Sequence, residues 1–280
     1  MKIKIAVLLL GCMSAHAAVV GNDVNPTELK IQSAARPFNL NILGPVYAGG
    51  SDTRSKEFQT SVLPGLLDFV NTNLSEYKNI SEVASKSLDP SKLTMTTDSD
   101  VRVYFLGEGA GYHNTLGVNM SGTGLLSGNP ALLFPDASTR QSYYNGINDS
   151  LRTKSEPLLP GDFVSLGTVK ADTKLDFFLI ADGVNSATKN RVWTANKGYN
   201  SDGLQHMLSY SLINSAYFLL SFEDQLGGGD KDFNDAIFVM ELSNVKALAN
   251  PEPHSAITFG LLAFTVVLVK RYRNKNTKDL

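Results

Sequence analysis

The sequence predicts a mainly β protein: an antiparallel β-sandwich or jelly-roll-like domain with a small helical N-terminal segment and a C-terminal transmembrane helix. From Val101 onward, short apolar or alternating runs are separated by Gly, Asn and Asp, at the intervals typical of a sandwich. Upstream of Val101, apolar residues recur every three or four positions, as they do on one face of a helix. Near the C-terminus, an apolar run precedes a basic tail.

Seven strands follow from this pattern. They are expected at Val101–Leu106, Ala131–Phe134, Phe163–Val169, Lys174–Ala181, His206–Leu212, Ala216–Phe222 and Ala236–Leu242. The helical segment is expected from about Ser55 to Ser87, and Pro64 should begin or kink a helix there because it has no backbone N–H to donate. We expect this segment to pack over the sheet, with recognition of a partner as the alternative.

The stretch Phe222–Asp235 is the most informative part of the chain. It joins two predicted strands and contains three consecutive glycines, five carboxylates and the amide of Asn234. The carboxylates are Glu223, Asp224, Asp230, Asp232 and Asp235. Such crowding of acidic groups is self-repelling unless a cation neutralises it. Oxygen ligands on a flexible turn suit calcium, which takes about 6–8 oxygens. The sequence therefore predicts a calcium site.

Within this stretch, Asp230, Asp232 and Asp235 are the leading candidate ligands, and Asp224 comes next. Glu223 is a weaker candidate, because alternation along a strand would place it on the opposite face. Asn234 is a further candidate ligand, with shaping of the turn as its alternative role. Asp182 either completes the shell or belongs to an ordinary turn.

Two alternatives to this calcium loop stay open. In an EF-hand, Asp230, Asp232 and Asn234 would take positions 1, 3 and 5 and Glu241 position 12, but the required Gly at position 6 is Asp235. In the other alternative, the stretch is an acidic turn whose side chains accept hydrogen bonds from nearby backbone N–H groups.

No recognised catalytic motif accompanies the acidic stretch. Gly107–Gly111 lacks the spacing of a nucleotide-binding loop, and His113 and His206 are expected to be hydrogen-bonded structural residues. A hydrolase with paired carboxylates stays an alternative, because the fold sets the separation of such groups. A sugar-stacking surface is a further alternative to core packing for Trp193, Tyr199, Tyr143 and Tyr144.

The N-terminus predicts a secretory signal peptide. Lys2 and Lys4 precede an apolar run, and Ala15 and Ala17 form a small-x-small site that places cleavage before Ala18. The competing interpretation is a lipoprotein signal ending at Cys12, which is the only cysteine. Cleavage before Ala18 would leave a mature chain without disulfides, which a domain of this size does not need.

The C-terminus has three consecutive parts: Pro251-Glu252-Pro253, an apolar run of 15 residues from Ser255 to Val269, and a basic tail. As a helix the run would extend roughly 22 Å, which is shorter than the ~30 Å hydrocarbon core. A membrane anchor is expected here instead of a core helix, because five basic residues crowd one end.

This tripartite order resembles the PEP-CTERM sorting signal of Gram-negative bacteria, although Asn250 and His254 depart from its usual residues. The resemblance implies recognition by an exosortase, a membrane-embedded cysteine protease or transpeptidase, and transient anchoring in the membrane. It also implies delivery to the cell surface or to an extracellular matrix that contains exopolysaccharide. Glu252 would then belong to the substrate of another enzyme.

The body resembles the bacterial domain DUF4114, on the motif Phe222–Asp235 and on the stretches Val101–Asn114 and Asp176–Gly183. The resemblance extends over about residues 98 to 242. It implies a β-rich exported domain for which a divalent cation is expected, and no known reaction.

The charge of the body agrees with cation binding. Residues 18–249 contain 18 of the 25 basic residues and 25 of the 27 acidic residues, a net charge of about −7. This sign disfavours nucleic acid as a partner.

The predicted organisation is therefore a signal peptide (1–17), an N-terminal region with a helical segment (18–97), a β domain (98–249) and a sorting signal (250–280). The predicted function is a non-enzymatic structural or interaction module outside the cell, with signal peptidase and an exosortase as processing partners. The alternatives are a calcium-dependent carbohydrate-binding module of an exopolysaccharide matrix and a secreted hydrolase.

Overall fold

The computed structural model describes residues 25–74, 88–141, 150–211, 215–244 and 247–248. The predicted signal peptide with Ala15 and Ala17, the motif Pro251–Pro253 and the predicted helix 255–269 lie outside these ranges. Within them, no helix combines the length and apolar character that crossing a membrane requires.

Two antiparallel sheets account for the ten strands of the described residues. The strands are β1 (Val46–Tyr47), β2 (Ser99–Gly107), β3 (Thr115–Asn119), β4 (Ala131–Phe134), β5 (Phe163–Val169), β6 (Asp176–Ile180), β7 (Val192–Thr194), β8 (Met207–Ser211), β9 (Tyr217–Phe222) and β10 (Ala236–Leu242). One sheet has the order β1-β5-β2-β10-β9-β8 and the other β4-β3-β6-β7. The mainly antiparallel β prediction is confirmed.

All seven predicted strands are present, and β4, β5 and β10 have the predicted bounds. The pattern missed β1, β3 and β7. Two of these have two or three residues, and β3 contains Gly117, which is a poor strand former. Gly117 is needed there because a Cβ atom at this position would lie 2.2 Å from the ring of Phe178 on the neighbouring strand β6.

A helical segment covers the outer face of the six-stranded sheet. It comprises α1 (Thr53–Glu57), a π-helical turn (Phe58–Val62) and α2 (Leu63–Asn73). Pro64 lies in the first turn of α2, directly after the π-helical turn, as the prediction that it begins or kinks a helix requires. The segment was expected to continue to Ser87. The described helix ends at Asn73, and residues 75–87 lie outside the described ranges.

Two apolar layers bury the six-stranded sheet on both faces. The main core lies between the sheets and includes Phe105, Phe134 and Phe238. The second layer lies beneath the helical segment, where Phe58 stacks on Tyr104 with ring centroids 3.9 Å apart. Consequently every residue of β10 is buried, which is typical of a strand covered on both faces.

A buried polar network also joins the helical segment to the sheet. The Arg102 guanidinium donates two hydrogen bonds to Asp52, at 3.0 and 2.7 Å. Next to this pair, Glu241 accepts from the Tyr104 hydroxyl at 2.8 Å and forms an ion pair with Arg54 at 3.0 Å. Because Asp52 is also the N-cap of α1, this network fixes the start of the helix over the central strands.

Candidate metal centre

The acidic loop, residues Glu223–Asp235, joins two neighbouring antiparallel strands. Phe222 at the end of β9 pairs with Ala236 at the start of β10, so the two ends of the loop meet at one end of these strands. The prediction that this stretch connects two strands of one sheet is confirmed. Both ends of the loop are anchored by buried strands, which holds the first and last acidic groups close together.

The backbone of the loop adopts the left-handed conformation repeatedly. Gly227, Gly228 and Gly229 have φ values of 85°, 80° and 40°, and Lys231 and Phe233 follow with 63° and 57°. Glycine takes this conformation without steric penalty, whereas the two other residues each pay about 1–3 kcal/mol. Strain of this kind persists only where surrounding contacts enforce it, so the loop has a defined and costly conformation.

Three carboxylates converge inside this loop. One oxygen each from Glu223, Asp230 and Asp232 lie within 4.8 Å of one another. Calcium binds oxygens at about 2.3–2.6 Å, so ligands on opposite sides of one ion are roughly 5 Å apart. The spacing of the three oxygens therefore fits a single ion. Glu223 and Asp232 are buried while Asp230 is exposed, which leaves one side of the group open to solvent.

Glu223 is the innermost of the three. Its side chain is fully buried, Oε2 accepts a hydrogen bond from the Lys231 backbone N–H at 3.2 Å, and Oε1 has no hydrogen-bond partner among the described residues. Burial, and next the negative charges of Asp235, Asp230 and Asp232, together raise the pKa of Glu223 to about 9. A bound cation would reverse this effect, because it stabilises the ionised form.

The expected orientation of Glu223 was wrong. Alternation along the strand placed its side chain on the face opposite the other acids, yet the structure brings it together with Asp230 and Asp232. The reason is that β9 ends at Phe222, and the strand periodicity does not extend to the next residue. Gly229 lies so close to it that a Cβ atom there would be 1.9 Å from Glu223 Oε1.

Asp224 and Asp235 form a second, adjoining pair. Asp235 Oδ2 accepts from the Asp224 backbone N–H at 2.8 Å, and Asp224 Oδ2 accepts from the Asn114 side chain at 2.8 Å. Burial, and next the charge of Asp235, raise the pKa of Asp224 to about 7. Both residues are thus hydrogen-bonded within the fold, and neither belongs to the group of three converging carboxylates.

Asn234 links the loop to the helical segment. Its side-chain amide donates to the Leu74 carbonyl at 2.9 Å, at the C-terminal end of α2. Helix C-termini carry partial negative charge. Asn234 therefore satisfies a terminal carbonyl, and this bond also places the negative end of the helix beside the acidic loop.

The EF-hand interpretation does not agree with the structure. Glu241, the residue at position 12, lies near the far end of β10 and binds Tyr104 and Arg54. Five strand residues separate it from the loop, and each adds about 3.4 Å. Asp182 also lies outside the carboxylate group. Its side chain accepts from Asn185 at 2.8 Å, as in an ordinary turn.

The other residues singled out in the sequence lie at several different places in the structure. Gly107–Gly111 connects β2 to β3, so no helix follows it as a nucleotide-binding loop would require. His113 Nδ1 lies 3.0 Å from the Ser138 hydroxyl. Trp193 is fully buried and cannot belong to a sugar-stacking surface, whereas Tyr199 is 49% exposed. Tyr143 and Tyr144 lie outside the described residues.

Sequence reasoning missed the residues that support the loop from outside. Asp202 accepts from the Gly227 backbone N–H at 2.8 Å, and Trp193 Nε1 donates to the Asp224 carbonyl at 2.7 Å. Asn114 binds Asp224 as described above. The only sequence signal at Asp202 is the dipeptide Asp202-Gly203, which indicates a turn and no contact with a loop 25 positions away.

Comparison with known sequence families adds one finding about this loop and its strands. Residues 169–243 match DUF4114, a domain of unknown function. The DUF4114 match includes β6 to β10 and the whole acidic loop. The resemblance noted on Val101–Asn114 falls outside the matched range. No curated protein and no solved structure matches the chain.

Proposed function

We propose that this chain is an exported, non-enzymatic structural or interaction protein whose acidic loop binds calcium. Two observations carry the calcium proposal: Glu223, Asp230 and Asp232 converge, and the buried Oε1 of Glu223 has no hydrogen-bond partner among the described residues. Leaving such an acceptor unsatisfied costs about 1–3 kcal/mol or more for a charged group. A cation at this position would remove that penalty.

The loop favours calcium over magnesium as the bound ion. Calcium accepts variable geometry and about 6–8 oxygens, whereas magnesium demands a near-ideal octahedron. Three carboxylates supply part of the calcium shell, and Asp230 leaves an open side for water. The proposed role of the ion is structural: it neutralises the acidic loop and holds its left-handed residues in place.

Thermal unfolding of the purified protein in excess calcium and in chelator tests this proposal. An ion that binds only the folded chain raises the melting temperature, and the rise grows with the logarithm of the free-ion concentration once this exceeds the Kd. We expect a higher melting temperature in calcium, and loss of this shift in the Asp230→Asn and Asp232→Asn variants. Asp98→Asn, which makes the same charge change at an exposed position before β2, is the matched control. Equal melting in calcium and in chelator would contradict the proposal.

The proposed location is the cell surface or the extracellular matrix. Two sequence features support this location. The N-terminus resembles a signal peptide, and near the C-terminus Pro251-Glu252-Pro253 is followed by an apolar run and then by a basic tail. Signal peptidase and an exosortase-type enzyme would process the chain, which would be anchored in the membrane until the second cleavage. Fractionation of cells that express the chain with an exosortase, with and without Glu252→Ala, tests this. We expect the Glu252→Ala variant to stay in the membrane fraction and the unaltered chain to leave it. Identical fractionation of the two proteins would contradict the proposed processing.

Calcium-dependent carbohydrate binding is a second candidate function. The observation that favours it is the exposure of the aromatic residue Tyr199. Tyr199 lies in the connection between β7 and β8, and Asp202 in the same connection contacts the acidic loop. Glycan-array binding in calcium and in chelator tests this function. Binding that needs both calcium and Tyr199 would support it, and binding that survives Tyr199→Ala unchanged would contradict it.

A further inference from the structure

The acidic loop is held by a carboxylate that does not belong to its own sequence. Asp202 Oδ2 accepts from the Gly227 backbone N–H at 2.8 Å and bonds to His206 Nε2 at 2.9 Å. Asp202 Oδ1 accepts from the Leu204 backbone N–H at 3.0 Å. Both oxygens of Asp202 are therefore hydrogen-bonded within the protein, and Asp202 lies outside the group of three converging carboxylates.

His206 connects this carboxylate to the backbone of Glu223. Its Nδ1 lies 2.9 Å from the Glu223 carbonyl oxygen, and the Glu223 N–H donates to the His206 carbonyl at 3.0 Å. Both partners of the ring, a backbone carbonyl and a carboxylate, are hydrogen-bond acceptors. The ring is fully buried and stacks on Trp193, which fixes its plane.

These contacts act at the two points that set the geometry of the ion site. Asp202 holds Gly227, the first residue of the glycine turn that brings Gly229 against Glu223 Oε1. His206 holds the backbone of Glu223 itself. Side chains that bond to ligands from outside typically orient them for the ion, and their loss weakens metal binding.

We propose that Asp202 and His206 are positioning residues of the cation site, which hold Glu223 and the glycine turn in the geometry for binding before the ion arrives. This inference rests on the proposed calcium site. It goes further because it states that a second loop, the connection between β7 and β8, contributes to the calcium affinity of that site. The ion would find its innermost ligand already in place, so less ordering accompanies binding.

Calcium titration of the purified full-length protein and two variants tests this inference. Asp202→Asn removes the charged acceptor with little change of shape. In His206→Asn the amide nitrogen can replace Nδ1 as donor to Glu223, while the bond to Asp202 is lost. We expect the calcium Kd to rise about 10- to 100-fold in both variants, although both remain folded in chelator at the temperature of the titration. Asp98→Asn, the control, should bind calcium as the wild type does.

Two results would overturn this inference. One is an unchanged calcium Kd in both variants. The other is a weaker Kd that is fully explained by a lower melting temperature in chelator, since a merely structural role predicts that pattern. If one variant does not fold, the other decides the question. Failure of the wild type to bind calcium would instead contradict the proposed function, so the two failures can be told apart.

Discussion

The indole ring of Trp193 lies flat against the imidazole of His206, with ring centroids 3.8 Å apart and planes within 6° of parallel. Trp193 Nε1 also donates to the Asp224 carbonyl at 2.7 Å. The single tryptophan of the chain is therefore in contact with the start of the acidic loop and with a residue that we propose positions it.

This contact predicts that tryptophan fluorescence reports on calcium. Calcium binding would place a positive charge at Glu223, next to the residue whose carbonyl accepts from the indole, so we expect a saturable change in emission. Fluorescence titration of the wild type measures it, with Asp98→Asn as a variant that should respond equally. Constant emission in a sample whose melting temperature rises with calcium would contradict the proposed link between Trp193 and the ion site.

Gly229 should be essential to the site for a steric reason. A Cβ atom there would lie 1.9 Å from the buried Glu223 Oε1, and its φ of 40° is strained for other residues. Gly229→Ala should displace the Glu223 carboxylate and weaken calcium binding. The matched control is Gly167→Ala on β5, which has a φ of 67° but no atom within 4 Å of the added methyl group.

Comparing the two variants separates backbone strain from ligand displacement. Both should lose roughly 1–3 kcal/mol of stability in chelator, because both place alanine in the left-handed region. Only Gly229→Ala should also show a large loss of calcium affinity in a titration. Equal calcium affinity in the two variants would show that the close approach of Gly229 to Glu223 is unimportant for binding.

The buried pair Arg102–Asp52 should be a major contributor to stability. Asp52 accepts both guanidinium hydrogen bonds and caps α1, so Asp52→Ala should cost about 3–5 kcal/mol. Asp89 also caps a short helical turn and pairs with Lys92, but that pair is largely exposed. Asp89→Ala should therefore cost only about 1 kcal/mol. Urea unfolding measures both, and similar losses would contradict this ranking.

Asp176 predicts a pH-dependent stability that is independent of the ion site. It is fully buried, Oδ2 accepts from the Gly124 N–H at 2.8 Å, and Oδ1 has no hydrogen-bond partner among the described residues. Burial raises its pKa above the ordinary value of 3.8, and the Gly124 bond offsets only part of this effect. The folded state therefore binds this proton more tightly than the unfolded state, and the contribution to stability is lost as pH rises above 3.8.

In the variant Asp176→Asn this side chain cannot ionise. The melting temperature of the variant minus that of the wild type should therefore be larger at about pH 8 than at about pH 4. Measurements in chelator keep the acidic loop out of the comparison. Asp98→Asn should show the opposite slope, because hydrogen bonding to Lys170 lowers the pKa of Asp98. A pH-independent difference for Asp176→Asn would contradict the predicted shift.

The strands could be predicted where β-forming residues continue for four or more positions. Ala131–Phe134 and Ala236–Leu242 are examples, and their bounds are correct. Strand β3 could not be predicted in this way, since it contains a glycine. Gly117 is required there because the ring of Phe178 on the neighbouring strand leaves no room for a Cβ atom. The glycine at this position is explained by packing between neighbouring strands, and a single sequence does not show which strands are neighbours.

The candidate site was predictable in composition but only partly in geometry. Asp230 and Asp232 stand out by local crowding, and the structure places them together. The orientation of Glu223 depends on where β9 ends, and strand boundaries are poorly defined by sequence. The contact of Asp202 with Gly227 joins two loops that only the folded sheet brings together.

The most direct test of the account is calorimetric titration of calcium into the purified, chelator-stripped protein and into Glu223→Gln. This substitution keeps the shape of the innermost side chain and removes its charge. We predict saturable calcium binding by the wild type and strongly weakened binding by Glu223→Gln, with both proteins folded in chelator. Absence of binding by the folded wild type, or equal binding by the two proteins, would contradict a calcium site built around Glu223.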